Sequence, residues 1–136
     1  MKALIDTCVV LDYLQGREPF FDDALNIAIS AANYDFDGYI TSSSVTDIWY
    51  LVHRHTHSNI ESRKILSKLL QLYGILDTTA EDCLNALHTK TSDYEDAVMM
   101  ETAYRSGMDR IVTRNIDDYR ESRIQVLTPG EFLNTI

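Results

Sequence analysis

A three-layer α/β/α sandwich around a mostly parallel central sheet is the fold class this sequence predicts, on three observations. Short apolar runs alternate along the chain with longer segments of helical period. Capping residues and glycines stand where those segments should begin and end. No linker, internal repeat or low-complexity tract interrupts the 136 residues, so a single domain spanning 1–136 is expected.

Taken in order, Lys2-Ala3-Leu4-Ile5 reads as a buried strand that closes on Asp6, with Thr7 following. Val9, Val10, Leu11, Tyr13 and Leu14 suit a short helix stopped near Gly16. Pro19 precedes an amphipathic helix, Phe20 to Ala32, with Phe21, Ala24, Leu25, Ala28 and Ile29 on one face. Gly38 to Thr41 is a second strand. Ser42, Ser43 and Ser44 are cap candidates for a helix bearing Val45, Ile48, Trp49 and Val52.

Ser58 and Glu61 have capping-box spacing and open a helix to about Tyr73, ended by Gly74. Ile75-Leu76 is a third strand, and Thr78 or Thr79 caps a helix through about Leu87. Ser92 or Asp93 caps the next, which runs to Ser106 and stops at Gly107. Arg110 to Thr113 is a fourth strand, Asn115 to Asp118 a polar loop, and Ile124 to Leu127 a last strand. Thr128-Pro129 starts a terminal helical turn. Strands separated by helices pair in parallel and are covered on both faces.

Composition excludes several classes. No run approaches the roughly 18 apolar residues of a membrane span. Asp6 arrives too early for a signal peptide, so a cytoplasmic protein is expected. Cys8 and Cys83 form no disulfide framework or zinc knuckle and are expected as small buried apolar residues. The net charge of −9, from 21 acids against 12 Lys plus Arg, argues against a nucleic-acid-coating surface. It does not exclude an enzyme acting on nucleic acid, because cations in a carboxylate pocket reverse the local sign.

In open parallel sheets ligands bind beyond the carboxyl ends of the strands. Asp6 closes the first strand there, and Asn115, Asp117 and Asp118 follow the fourth. Asp47 lies in the helix after the second strand, while Asp93 and Asp96 share a face at the start of the helix before the fourth. Singly, Asp47 and Asp93 are also good capping residues and Asp117 an ordinary solvated acid. Jointly, carboxylates converging on one rim need a cation or retained protons. Oxygen donors without cysteine or clustered histidine favour Mg²⁺ or Mn²⁺.

The segments that carry these acids resemble the PIN-domain family of metal-dependent ribonucleases. They are Ala3-Leu4-Ile5-Asp6-Thr7 with Val10 to Leu14, Ile40-Thr41 through Asp47, Asp93 to Ala97, and Ile111 to Asn115 with Asp118-Tyr119. The resemblance spans essentially the whole chain. It implies three or four acids chelating one or two divalent metals, with Asp6, Asp47 and Asp96 at the first three positions and Asn115, Asp118 or both at the fourth. Asp47 stands where the family usually has Glu, and Asn115 is neutral; both departures bear on metal number and rate.

The activity implied is hydrolysis of RNA phosphodiesters. Asp6 and Asp96 would hold the metal, Asp118 and Asn115 would orient a water or second ion, and Asp47 would complete the shell. Thr7 and Thr113 are expected to donate hydrogen bonds to ligand carboxylates or to the phosphate. Arg114 is expected either to clamp phosphate or to pair with a neighbouring Asp. The small chain is similar to VapC-type toxins, which implies a cognate antitoxin and a homodimer as partners. The alternative is a PIN-like module that binds RNA or protein through a weakened metal site.

Other residues carry less. His53, His55 and His57 are expected as exposed residues at a helix end, Trp49 in the core, and most tyrosines at the core edge. A receiver domain would want paired acids after the first strand and a late Lys; a haloacid-type phosphatase would want Asp-x-Asp, and position 8 is Cys.

Overall fold

The structure, a computed structural model, describes residues 1–136. Five strands form one all-parallel sheet in the order β3-β2-β1-β4-β5. They are β1 (Lys2–Ile5), β2 (Asp37–Thr41), β3 (Gly74–Leu76), β4 (Arg110–Val112) and β5 (Gln125–Leu127). The helices are α1 (Thr7–Leu14), α2 (Phe21–Ala32), α3 (Ser42–Thr56), α4 (Asn59–Leu72), α5 (Ala80–Ala86), α6 (Tyr94–Arg105) and α7 (Pro129–Leu133). A short 3₁₀ helix, Ile116–Tyr119, lies within the polar loop after β4.

The period-two alternation of β1 decides the layers. Ala3 and Ile5 join a core with Val9 and Val10 of α1, Ile27 of α2, Ile48 of α3, Leu69 of α4 and Phe132 of α7. Leu4 points the other way, into a core with Met99, Met100 and Ala103 of α6 and Tyr119. With both faces covered, the central strand is buried at every position from Ala3 to Ile5, which explains its unbroken apolar run.

The boundaries differ from expectation in instructive places. Thr41, the last residue of β2, caps α3 by accepting from the Ser44 amide at 3.3 Å, so the cap precedes the three serines. Ser42 instead accepts from the Thr78 amide at 2.9 Å and ties the end of β2 to the loop after β3. Gly16 (φ +61°) and Gly107 (φ +70°) take the left-handed conformation where α1 and α6 stop. No helix is long and apolar enough to cross a membrane.

Candidate active site

β1 is central, and the chain builds β2 and β3 on one side of it before crossing to β4 and β5 on the other. The order reverses at this point, the place where ligands bind in open parallel sheets, and Asp6 and Thr113 emerge there side by side. Asp6 is 5 % exposed, caps α1 without bonding its amides, and accepts at Oδ2 from the Thr113 hydroxyl at 2.7 Å and the Cys8 thiol at 3.3 Å. Its Oδ1 takes no protein hydrogen bond. Thr113, fully buried, also accepts from the Asn115 amide at 3.0 Å, which fixes the start of the following loop.

Asp96 reaches the same rim from the first turn of α6, whose cap is Asp93. Its Oδ1 accepts from the buried Tyr119 hydroxyl at 3.3 Å. Burial, then the charges of Asp6, Asp93 and Asp118, push the Asp96 carboxyl up to about 7. Glu95 is raised too, by burial and then by Asp47, Asp93 and Asp6. These mutual effects place Asp6, Asp47, Asp93, Glu95, Asp96 and Asp118 in one electrostatic neighbourhood. None of them pairs with Lys or Arg.

Each expected site residue has a definite place. Asp47 is exposed on α3 and faces Glu95, while Asp118 and Asn115 are exposed around the 3₁₀ helix. Thr7 has a buried Oγ1 without a hydrogen-bond partner beside Asp6. Asp117 leaves the group for Arg120, at 3.1 Å on the surface. Arg114 pairs with the buried Asp12, Nε to Oδ2 at 2.8 Å, and its guanidinium lies 4.3 Å from the Phe20 ring centre. Of its two expected roles, the structure gives it the Asp pair.

Sequence reasoning misjudges one residue here and misses another. Cys8 is no mere core filler: burial, then the nearby Asp6 charge, pushes its thiol up to about 12, so it stays protonated and donates to Asp6. Glu95 adds a carboxylate one residue before Asp96, and the Asp93-Tyr94-Glu95-Asp96 run is the signal that could have found it. Tyr119 is held neutral as well, its hydroxyl raised well above the usual range chiefly by burial.

The donor set fits a hard divalent cation: carboxylates with no counter-ion, a carboxyl that holds its proton near neutrality, and an orphaned hydroxyl beside Asp6. No three His, Cys, Asp or Glu side chains close around a common point.

Residues 2–117 match the sequence model of the PIN domain. The chain belongs to the PIN-domain family. The fold is shared with VapBC2 of Rickettsia felis bound to a promoter DNA fragment, at 16 % identity and a TM-score of 0.68, covering 94 % of this chain and 98 % of that one. A toxin–antitoxin complex from Klebsiella pneumoniae aligns with a TM-score of 0.68 at 21 % identity over 93 % and 97 % of the two chains. VapC20 of Mycobacterium tuberculosis, a sarcin-ricin-loop-cleaving toxin, aligns with a TM-score of 0.62 at 11 % identity over 80 % and 86 %. No curated protein sequence matches this PIN domain.

Proposed function

We propose that this PIN domain is a divalent-metal-dependent endoribonuclease, the toxin of a toxin–antitoxin pair. One observation carries the reading: the charges of Asp6 and Asp118, remote in sequence, both bear on Asp96 at one rim of the sheet, and none of the three is ion-paired with Lys or Arg. The PIN neighbours described as toxins or toxin–antitoxin complexes support the biological setting, including an antitoxin partner and a homodimer.

Asp6 and Asp96 would hold the cation, with Asp118, Asn115 and Asp47 accepting from waters around it. Bound Mg²⁺ or Mn²⁺ supplies a Lewis acid for the scissile phosphate and a water of lowered pKa. Thr113 and Cys8 fix Asp6 through Oδ2 and leave Oδ1 free. Tyr119 restrains Asp96 in the same way. To hold a cation Asp96 would have to lose its proton, so cation binding is expected to weaken as pH falls through about 7.

The test is cleavage of single-stranded RNA with added Mg²⁺ or Mn²⁺. Asp6→Asn and Asp96→Asn are each expected to lower the rate by about 10²-fold or more. Full activity in both variants would sink the assignment. Growth arrest on expression, relieved by a co-expressed antitoxin from a neighbouring gene, tests the toxin role.

A second reading, a PIN-like binding module with a weakened metal site, is favoured by the exposed Asp47 and the neutral Asn115. Calorimetric titration with Mn²⁺ separates the two, since a degenerate site shows no saturable binding.

A further inference from the structure

A chain of net charge −9 that cuts a polyanion needs a place where that polyanion can approach. Between Ile48 and Leu76 the only acid is Glu61, against Arg54, Arg63, Lys64 and Lys68, with His53, His55 and His57 interspersed. The segment is the α3–α4 hairpin and its continuation into β3. The remainder of the chain is therefore even more acidic than the total.

Of the eight cations outside this segment, four are paired with carboxylates, and Lys2, Arg17, Lys90 and Arg110 are not. Arg105 is taken by Asp82, Arg114 by Asp12, Arg120 by Asp117 and Arg123 by Glu101. Arg54, Arg63 and Lys68 are exposed with no carboxylate partner, and Lys64 only approaches exposed Glu61 at 3.8 Å.

Aromatic side chains lie among these charges. The Arg63 guanidinium sits 5.5 Å from the Trp49 ring centre, and His53 stacks on the same indole at 5.8 Å. Trp49, half-buried rather than in the core, and Arg63 line a groove of about 480 Å³ between α3 and α4. Tyr50 is 63 % exposed and contributes an open ring. Asp47, Tyr50 and Arg54 follow at i, i+3 and i+7, so one helix face runs about 10 Å from the carboxylate rim to the first free arginine.

We propose that the outer face of the α3–α4 hairpin, centred on Tyr50, His53, Arg54 and Arg63, is the surface that guides single-stranded RNA to the carboxylate site. The ligand class rests on the ribonuclease reading. Unpaired guanidinium groups neutralise phosphates, and exposed aromatic rings stack bases without regard to sequence. An acidic protein segment would use the charges but has no need of the rings or of the track to Asp47.

The experiment is fluorescence anisotropy of a labelled mixed-sequence single-stranded RNA in EDTA, where cleavage is suppressed, with the full chain. Arg54→Glu/Arg63→Glu is expected to weaken binding at least tenfold and to flatten the dependence of log K on log salt by about 0.7 for each phosphate no longer neutralised. Arg54→Gln/Arg63→Gln should fall between it and the parent, and thermal melting checks that all variants fold. Lys2→Glu/Lys90→Glu, with the same change in net charge, should bind within about twofold of the parent.

Equal losses in both reversed pairs, or no saturable RNA binding by the parent, would overturn the proposal. So would a loss of poly-glutamate binding with RNA binding unchanged, which would make the hairpin a protein-docking face. The two readings fail separately. RNA binding without metal-dependent cleavage defeats only the nuclease assignment, and cleavage whose KM ignores Arg54 and Arg63 defeats only this surface.

Discussion

Two kinds of solvent-shielded carboxylate, one fully buried and one half-buried, stand within this small domain, and their surroundings separate them. Asp12 and Asp82 are each 1 % exposed and each has an arginine. Asp82 accepts from Arg105 at 2.9 Å and from Thr102 at 2.8 Å, and its carboxyl is lowered because hydrogen bonding and the cation outweigh its burial. Asp96, only half-buried, has other acids and a tyrosine hydroxyl around it, and its carboxyl rises to about 7. Burial alone therefore does not raise a carboxyl; shielding without a counter-ion does.

The comparison can be broken most forcefully at Arg114. Arg114→Ala leaves Asp12 buried without its cation and should cost about 3–5 kcal/mol of unfolding free energy, read from urea midpoints. A phosphate clamp would behave otherwise, with KM rising and stability nearly unchanged. The hydroxyl that aims Asp6 comes next. Thr113→Val keeps the shape but removes the 2.7 Å bond, and Mn²⁺ affinity measured by calorimetry should fall about 10–100-fold.

Asp96→Asn gives a stability effect of the opposite direction to Arg114→Ala. A carboxyl whose folded pKa is raised binds more protons in the folded than in the unfolded chain. Its contribution is therefore favourable below the ordinary carboxylate range and is lost as pH climbs toward about 7. In EDTA the variant should be more stable than the parent at pH 8, by about 1–2 kcal/mol once solvent screening is discounted, and the advantage should vanish near pH 4. A variant less stable than the parent at pH 8 would show that Asp96 is held by interactions of the Asp82 kind. The smallest effect belongs to Asp117, which with Arg120 forms an exposed pair at 3.1 Å. Asp117→Ala should change thermal stability by less than about 1 kcal/mol and leave activity alone.

Much of the fold is legible in the sequence because the signals are local. Alternating Ala3, Leu4 and Ile5 require two buried faces, and the capping boxes at Thr79 with Asp82 and Thr128 with Glu131 mark helix starts directly. The PIN pattern points to Asp6, Asp96 and Asp118, and the structure brings their charges together at the strand-end rim. Thr113, expected to donate to a carboxylate, donates to Asp6.

What sequence could not decide was partnership between groups far apart along the chain. Arg114 lies beside Thr113 and Asn115 in sequence, yet its guanidinium turns to Asp12, 102 residues away. Cys8 is an unremarkable small residue until folding sets its thiol 3.3 Å from Asp6 Oδ2, and Trp49 leaves the core for a place beneath Arg63. The chain by itself determined the layers, the strand ends and the acids that gather there, because periodicity and capping act over a few residues. Only the tertiary structure decided which acids would be neutralised and which left without a cation, because Coulomb interaction depends on distances in space that the order of residues does not contain.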